Sequence, residues 1–93
     1  MRDESTLSFA QLAAALRIGR EIEFVCGGKQ YSITNSGGYW YFCCDSCGGC
    51  QRLCLFEEKE KLVALAGAQS VGGLPLREVF DRTLYERDSL YIL

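Results

Sequence analysis

The stretch Glu21-Ile22-Glu23-Phe24-Val25-Cys26-Gly27-Gly28-Lys29-Gln30-Tyr31-Ser32-Ile33-Thr34 decides the fold. Both halves alternate apolar with polar residues, the period-2 signature of a half-buried strand, and Gly27-Gly28 between them is a two-residue hairpin signal. Setting Cys26 opposite Lys29 pairs Phe24 with Tyr31 and Ile22 with Ile33 on one face, and sends Glu23 and Ser32 to the other. Downstream, Asn35-Ser36-Gly37-Gly38 reads as a second turn leading into Tyr39-Trp40-Tyr41-Phe42-Cys43-Cys44-Asp45. Pairing Thr34 with Tyr39 sets Ile33 against Trp40 and Tyr31 against Phe42. A third tight turn at Gly48-Gly49 then places Cys47 opposite Cys50, Asp45 opposite Arg52, Cys44 opposite Leu53 and Phe42 opposite Leu55. One parity rule thus puts Ile22, Phe24, Tyr31, Ile33, Trp40, Phe42, Cys44, Leu53 and Leu55 on one side of a four-stranded antiparallel meander.

Helices flank this sheet on both sides in sequence. Ser8 with Gln11 makes a capping box, Leu7 and Leu12 a hydrophobic staple, and Phe9, Leu12, Ala13 and Leu16 an apolar stripe that Gly19 ends. Residues 57–66 read as a second helix with acids near its positive end and Gly67 as terminator. After Gly72-Gly73, Pro75 opens a third helix with Leu76, Val79 and Phe80 on one face. Residues 89–93 are apolar and suit a short added strand or a docked tail. The expected class is α+β: a four-stranded antiparallel meander packed on one face by an N-terminal helix and two C-terminal helices.

The chain has 93 residues, 48% of them hydrophobic and 24% charged, with one proline. That length and composition suit a single folded domain over 1–93 and exclude a disordered or collagenous chain. A net charge of −2 argues against direct nucleic-acid binding through phosphate neutralisation. No stretch approaches the roughly 20 apolar residues that span a bilayer. Met1-Arg2-Asp3-Glu4-Ser5 has no apolar leader. A cytoplasmic protein with reduced thiols and no membrane partner is therefore expected.

Six cysteines and no histidine narrow the chemistry. Without imidazole, a metal must be held by thiolates and carboxylates, and the usual general base is missing. Cys44, Cys47, Cys50 and Cys54 follow C-x2-C-x2-C-x3-C, a ligand spacing of iron–sulfur proteins, and suggest a zinc or iron–sulfur site as the alternative function. Such a zinc site needs four sulfurs at about 2.3 Å from one ion. In the hairpin, Cys44 and Cys47 point to opposite faces, and Cys43 and Cys47 lie roughly 13 Å apart along the strand. The hairpin and the metal site exclude each other, and the hairpin, with no cofactor, is preferred. It makes Cys44 a small core residue and leaves Cys43 with Cys54, and Cys47 with Cys50, as outer-face neighbours able to oxidise. Cys47-Gly48-Gly49-Cys50 also looks like the C-x-x-C of thiol oxidoreductases, but no helix start follows to lower a thiol pKa. The glycine pairs belong to no phosphate-binding pattern, and no pair of carboxylates is specified in space.

At Gly19-Arg20-Glu21-Ile22-Glu23-Phe24, Lys29-Gln30-Tyr31-Ser32-Ile33-Thr34-Asn35, Trp40-Tyr41-Phe42-Cys43-Cys44-Asp45 and Leu76-Arg77-Glu78-Val79-Phe80-Asp81, the chain resembles a loose group of small proteins of low-GC Gram-positive bacteria, their phages and mobile elements. The resemblance covers most of the chain and implies no catalytic residues. It implies a variable hairpin turn after Cys43-Cys44-Asp45, so Cys47 and Cys50 are departures from the group. The expected function is a non-enzymatic protein-interaction module, binding another protein or itself. A specific form is an anti-CRISPR-like, mobile-element-encoded inhibitor of a host defence nuclease. The expected partner-binding residues are Tyr39, Tyr41 and Phe56 on the outer sheet face, and Glu21 and Glu23 on the edge strand 21–26, which could accept a further strand.

Overall fold

Ser8 opens the first helix as the sequence requires. Its Oγ accepts the Gln11 N–H at 3.2 Å and the Gln11 side chain accepts the Ser8 N–H at 2.9 Å, so two of the helix's orphan donors are satisfied. The computed structural model describes residues 6–93. The charged opening residues 1–5, read above for a leader, lie outside the described residues. In chain order the elements are α1 (Phe9–Arg17), β1 (Ile22–Cys26), β2 (Lys29–Ser36), β3 (Tyr39–Cys44), β4 (Gly49–Leu55), α2 (Lys59–Ala68), β5 (Ser70–Val71), β6 (Leu74–Pro75), α3 (Leu76–Asp81) and β7 (Tyr91–Ile92).

The expected α+β arrangement is present, extended by one strand. The main sheet is antiparallel in the order β4-β3-β2-β1-β7, and β5 with β6 forms a small separate hairpin. The tail residues Tyr91 and Ile92 supply the fifth strand, pairing with Glu23 and Ile22. All three helices pack on one face. Leu12 and Leu16 of α1, Leu62 and Ala66 of α2, and Leu76, Val79 and Phe80 of α3 join Ile22, Phe24, Tyr31, Ile33, Trp40 and Phe42 in one buried cluster.

The first hairpin has the register expected from the sequence, with Ile22 opposite Ile33, Phe24 opposite Tyr31 and Cys26 opposite Lys29. The second slips by two residues: Ser36 pairs with Tyr39, Ile33 with Phe42 and Tyr31 with Cys44. Gly37 and Gly38 alone supply the two positive φ angles, 60° and 88°, that a two-residue type I′ turn needs. Asn35 and Ser36 therefore stay in the strand. A two-residue slip preserves parity, so the inner face is unchanged.

The third hairpin departs further. Asp45–Cys47 forms a 3-10 turn closed by Gly48 in the left-handed region, and the ladder resumes with Cys44 opposite Gly49 and Cys43 opposite Cys50. A bulge between Trp40 and Tyr41 then shifts the register, leaving Trp40 opposite Cys54 and Tyr39 opposite Leu55. An extra residue in one strand inverts the faces beyond it. Cys54 turns into the core and Leu55 turns out to solvent, the reverse of the expected placement, while Leu53 packs half-buried against the core. Gly67 is also corrected. It lies inside α2 rather than ending it, and an added Cβ there would meet Phe9 Cζ at 2.8 Å, so its role is close approach of α1 to α2.

Long-range hydrogen bonds close the molecule. The Phe9 N–H donates to Asp81 Oδ1 at 2.8 Å, the Leu7 N–H donates to Tyr85 Oη at 2.7 Å, and Tyr85 Oη returns a bond to the Leu7 carbonyl at 3.3 Å. Tyr85 packs against Phe80 with ring centroids 4.5 Å apart. Burial in this cluster pushes its phenol above the ordinary value, and the hydrogen bond with Leu7 opposes that shift.

Candidate functional site: the open sheet face and the cysteine turn

The helices all lie on the inner side, so the alternating residues of β1–β4 present an outer face to solvent. Glu23, Val25, Gln30, Ser32, Thr34, Tyr39 and Tyr41 on it are half-buried, and Arg52, Leu55 and Tyr91 are exposed. Thr34, Tyr41 and Arg52 lie side by side across three strands. The Arg52 guanidinium stands 4.6 Å from the centroid of Tyr39, a cation–π distance. Tyr39 and Tyr41 are therefore on the outer face, as their parity requires, and neighbours brace them in place.

Phe56 is not with them. Its ring stacks on Trp40 with centroids 5.4 Å apart and planes within 5°, and Lys59 Nζ stands 4.0 Å from its centroid. The Phe56 carbonyl accepts the indole N–H of Trp40 at 3.0 Å. The bulge in β3–β4 redirects the chain end here, and Phe56 seals the core rather than joining a surface patch.

The edge at 21–26 is not free either. The Glu21 carbonyl accepts the Leu93 N–H at 2.7 Å, β7 pairs with Glu23 and Ile22, the Val25 carbonyl accepts the Glu86 N–H at 2.8 Å, and the Val25 N–H donates to Ser89 Oγ at 2.9 Å. The carboxylate of Glu21 accepts the Asn35 N–H at 2.8 Å, which gives it an intramolecular task. The tail thus occupies the groups that a further strand would use. Glu23 remains on the outer face beside Ser32 and Tyr91.

The cysteine turn sits at the β3–β4 end of the sheet. Cys43 is disulfide-bonded to Cys50, with Cα atoms 4.0 Å apart across the ladder, and Cys44 to Cys47, with Cα atoms 5.2 Å apart across the 3-10 turn. These pairings replace the expected Cys43–Cys54 and Cys47–Cys50 neighbours, because the 3-10 turn brings Cys50 opposite Cys43. The tetrad Cys44, Cys47, Cys50 and Cys54 is not assembled. Three of its sulfurs are in disulfides and the fourth, in the core, donates to the Glu58 carbonyl at 3.7 Å. Among the described residues no group of three or more Cys, Asp or Glu side chains is arranged to hold a metal ion.

Cys26 and Cys54 are the free cysteines. Burial, then the negative charge of Glu86, raises the Cys26 thiol above its ordinary value, and burial, then Glu58, does the same for Cys54 against an opposing effect of Lys61. Both stay protonated near neutrality, the opposite of an activated nucleophile. Beside the Cys44–Cys47 bond the inner face opens into a cleft of about 430 Å³ between the cysteine turn and the end of α2, with Tyr31, Phe42, Gln51, Gln69 and Ser70 in its walls. Sequence reading missed this cleft because Gln69 and Ser70 reach it only through the tertiary packing of α2.

No helix among the described residues is long and apolar enough to cross a membrane. No family model, curated protein or solved structure matches the chain.

Proposed function

We propose that the protein is a non-enzymatic interaction module that docks through the outer face of its sheet. The observation that carries this reading is that the three helices pack on the inner side and leave Tyr39 and Tyr41 half-exposed and Arg52, Leu55 and Tyr91 exposed on the other. Tyr and Arg are favoured where binding energy concentrates, and an antiparallel sheet needs no such aromatic surface merely to face water.

The charges on the face support a second copy as the proposed occupant. Glu23 lies on β1 and Arg52 on β4, at opposite sides of the β2–β3 midline. A two-fold axis along that midline carries each β1 over the other copy's β4 and sets the Tyr39 and Tyr41 rows side by side; Glu23 then lies level with Cys50, two residues along β4 from Arg52, a gap of roughly 7 Å at about 3.3 Å per residue that the long Arg52 side chain spans. Four strands at about 4.8 Å spacing and six residues at about 3.3 Å rise give a face roughly 20 Å square. That is about 400 Å² per copy and about 800 Å² in all, below the size of a standard specific interface, so the self-association proposed is weak and concentration-dependent.

Sedimentation equilibrium across micromolar to millimolar concentration tests this. The chain is expected to dimerise, Arg52→Glu to be monomeric, and Arg52→Glu with Glu23→Arg to recover the dimer. A chain that stays monomeric throughout, or a charge swap that rescues nothing, removes the homotypic reading. A different protein occupying the same face, with the nuclease inhibitor as one case, would then be read from recovery that Tyr41→Ser abolishes. A cytoplasmic setting belongs to the same proposal, and there the two disulfides would meet a pool of reducing thiols.

A further inference from the structure

We propose that the Cys44–Cys47 disulfide is a thiol-exchange site, opened by a small peptide thiol of the glutathione type that enters the cleft beside it. The proposal does not depend on the outer-face reading, because the cleft lies on the other side of the sheet.

Position singles out this bond. Both of its cysteines line the cleft, whereas the other disulfide reaches it only through Cys50 and keeps Cys43 outside it. Its two sulfurs are also unlike in environment. Cys44 is 5% exposed and anchored in β3, while Cys47 is exposed on the turn. An incoming thiolate therefore reaches Cys47 Sγ first, with Cys44 as the leaving group. Gln51 and Ser70 offer amide and hydroxyl partners to the backbone and carboxylates of a peptide thiol, Gln69 Nε2 is held by the Leu65 carbonyl at 3.1 Å, and the cleft volume is in the range of small-molecule sites.

The framework around each bond separates them further. Cys43 and Cys50 face each other within a continuous ladder, between the Phe42–Gln51 and Cys44–Gly49 pairs. That ladder holds the two sulfurs together whether or not they are bonded, so the bond recloses. Cys44–Cys47 spans a single 3-10 turn whose residues 45–48 are all exposed, and Cys47 has no ladder partner facing Cys44 to hold the two sulfurs together once the bond is cut.

The chemistry balances as follows. A thiolate attacks Cys47 Sγ, a new S–S bond forms to the peptide thiol as the Cys44–Cys47 bond breaks, and the electron pair leaves on Cys44 Sγ, which takes a proton from solvent at the cleft. A second peptide thiolate attacks the peptide sulfur of the mixed disulfide, releasing Cys47 as a thiolate that is protonated in turn. The protein disulfide gains two electrons and two protons, and two peptide thiols are oxidised to their disulfide.

The test treats the oxidised, folded full chain with excess reduced glutathione, quenches with an alkylating agent over time and maps the peptides by mass spectrometry. Glutathione is expected on Cys47 with the alkyl label on Cys44, and this bond is expected to open about tenfold faster than Cys43–Cys50. Glutathione should also outpace 2-mercaptoethanol at Cys47 by about threefold more in the folded chain than in urea. Cys44→Ser, which leaves Cys47 without its resolving partner, should accumulate the Cys47 mixed disulfide from oxidised glutathione. If that variant does not fold, the wild-type kinetics decide. Adducts on Cys50, equal opening of both bonds, or opening only in urea would overturn the proposal.

Discussion

Replacing Phe56 by Ala separates a core residue from a surface anchor. Its ring lies flat on Trp40 and beneath Lys59, and it is half-buried. About 100 Å² of apolar surface leaves the core on truncation, worth roughly 2.5 kcal/mol at about 25 cal/mol per Å². Loss of the stacked pair adds about 1 kcal/mol, and loss of the Lys59 contact at most a further ~0.5 kcal/mol. The expected cost is thus about 3 to 4 kcal/mol, a large share of the roughly 5–14 kcal/mol a domain of this size commands, and a fall in Tm of about 15 °C or more. Urea unfolding measures it directly, because Trp40 is the chain's one tryptophan and reports on the stack itself. Native emission from Phe56→Ala should shift to the red as the indole face is uncovered. Tyr41→Ala, on the outer face, should cost less than half as much and leave the emission unchanged. A Phe56→Ala cost below about 1 kcal/mol with unshifted emission would refute the placement of Phe56 and the bulge that produces it.

Gly67→Ala in α2 should lose the gain of about 1 kcal/mol usual for a helical glycine, because the new methyl meets Phe9; in a Phe9→Ala background the gain should return. A double-mutant cycle by urea unfolding checks this, and equal effects in both backgrounds would contradict the contact. Stability should fall with alkaline pH. Cys26 and Cys54 have folded pKa values raised above their unfolded ones, so the folded state keeps protons that the unfolded chain releases from roughly pH 8.5 upward. The stabilisation is full below that pH and is lost as pH rises through the folded values. Cys26→Ser with Cys54→Ser should flatten this limb of the stability profile, and an unchanged slope would assign it to other groups.

The sheet's inner face was legible from residues 21–44 because each inference there rests on period-2 parity, and a slip of two residues at Gly37-Gly38 leaves parity intact. The third hairpin was not. Gly48-Gly49 imitates the tight turns upstream, yet Asp45 and Ser46 favour a turn of their own, and the ladder starts after them. The bulge opposite Trp40 has no sequence signature of comparable strength, so the faces of Cys54, Leu55 and Phe56 could not be read. The cysteine pairing followed the same error, since a disulfide across a hairpin is only as predictable as its register. Gly67 was misread because a helix terminator and a close-packing glycine look alike until Phe9 is known to lie against it. The covered edge at 21–26 depended on Tyr91 and Ile92 returning from the far end of the chain, a pairing for which sequence offered only an apolar tail.

Disulfide mapping of the folded, oxidised protein tests the central claim most directly, since the β3–β4 register sets both the outer face and the cysteine cleft. Proteolysis under conditions that prevent exchange, followed by mass spectrometry, should recover Cys43 linked to Cys50 and Cys44 linked to Cys47, with Cys26 and Cys54 alkylated as free thiols. A Cys47–Cys50 or Cys43–Cys54 link would restore the tight turn at Gly48-Gly49 and contradict the register on which the proposed face and cleft both stand.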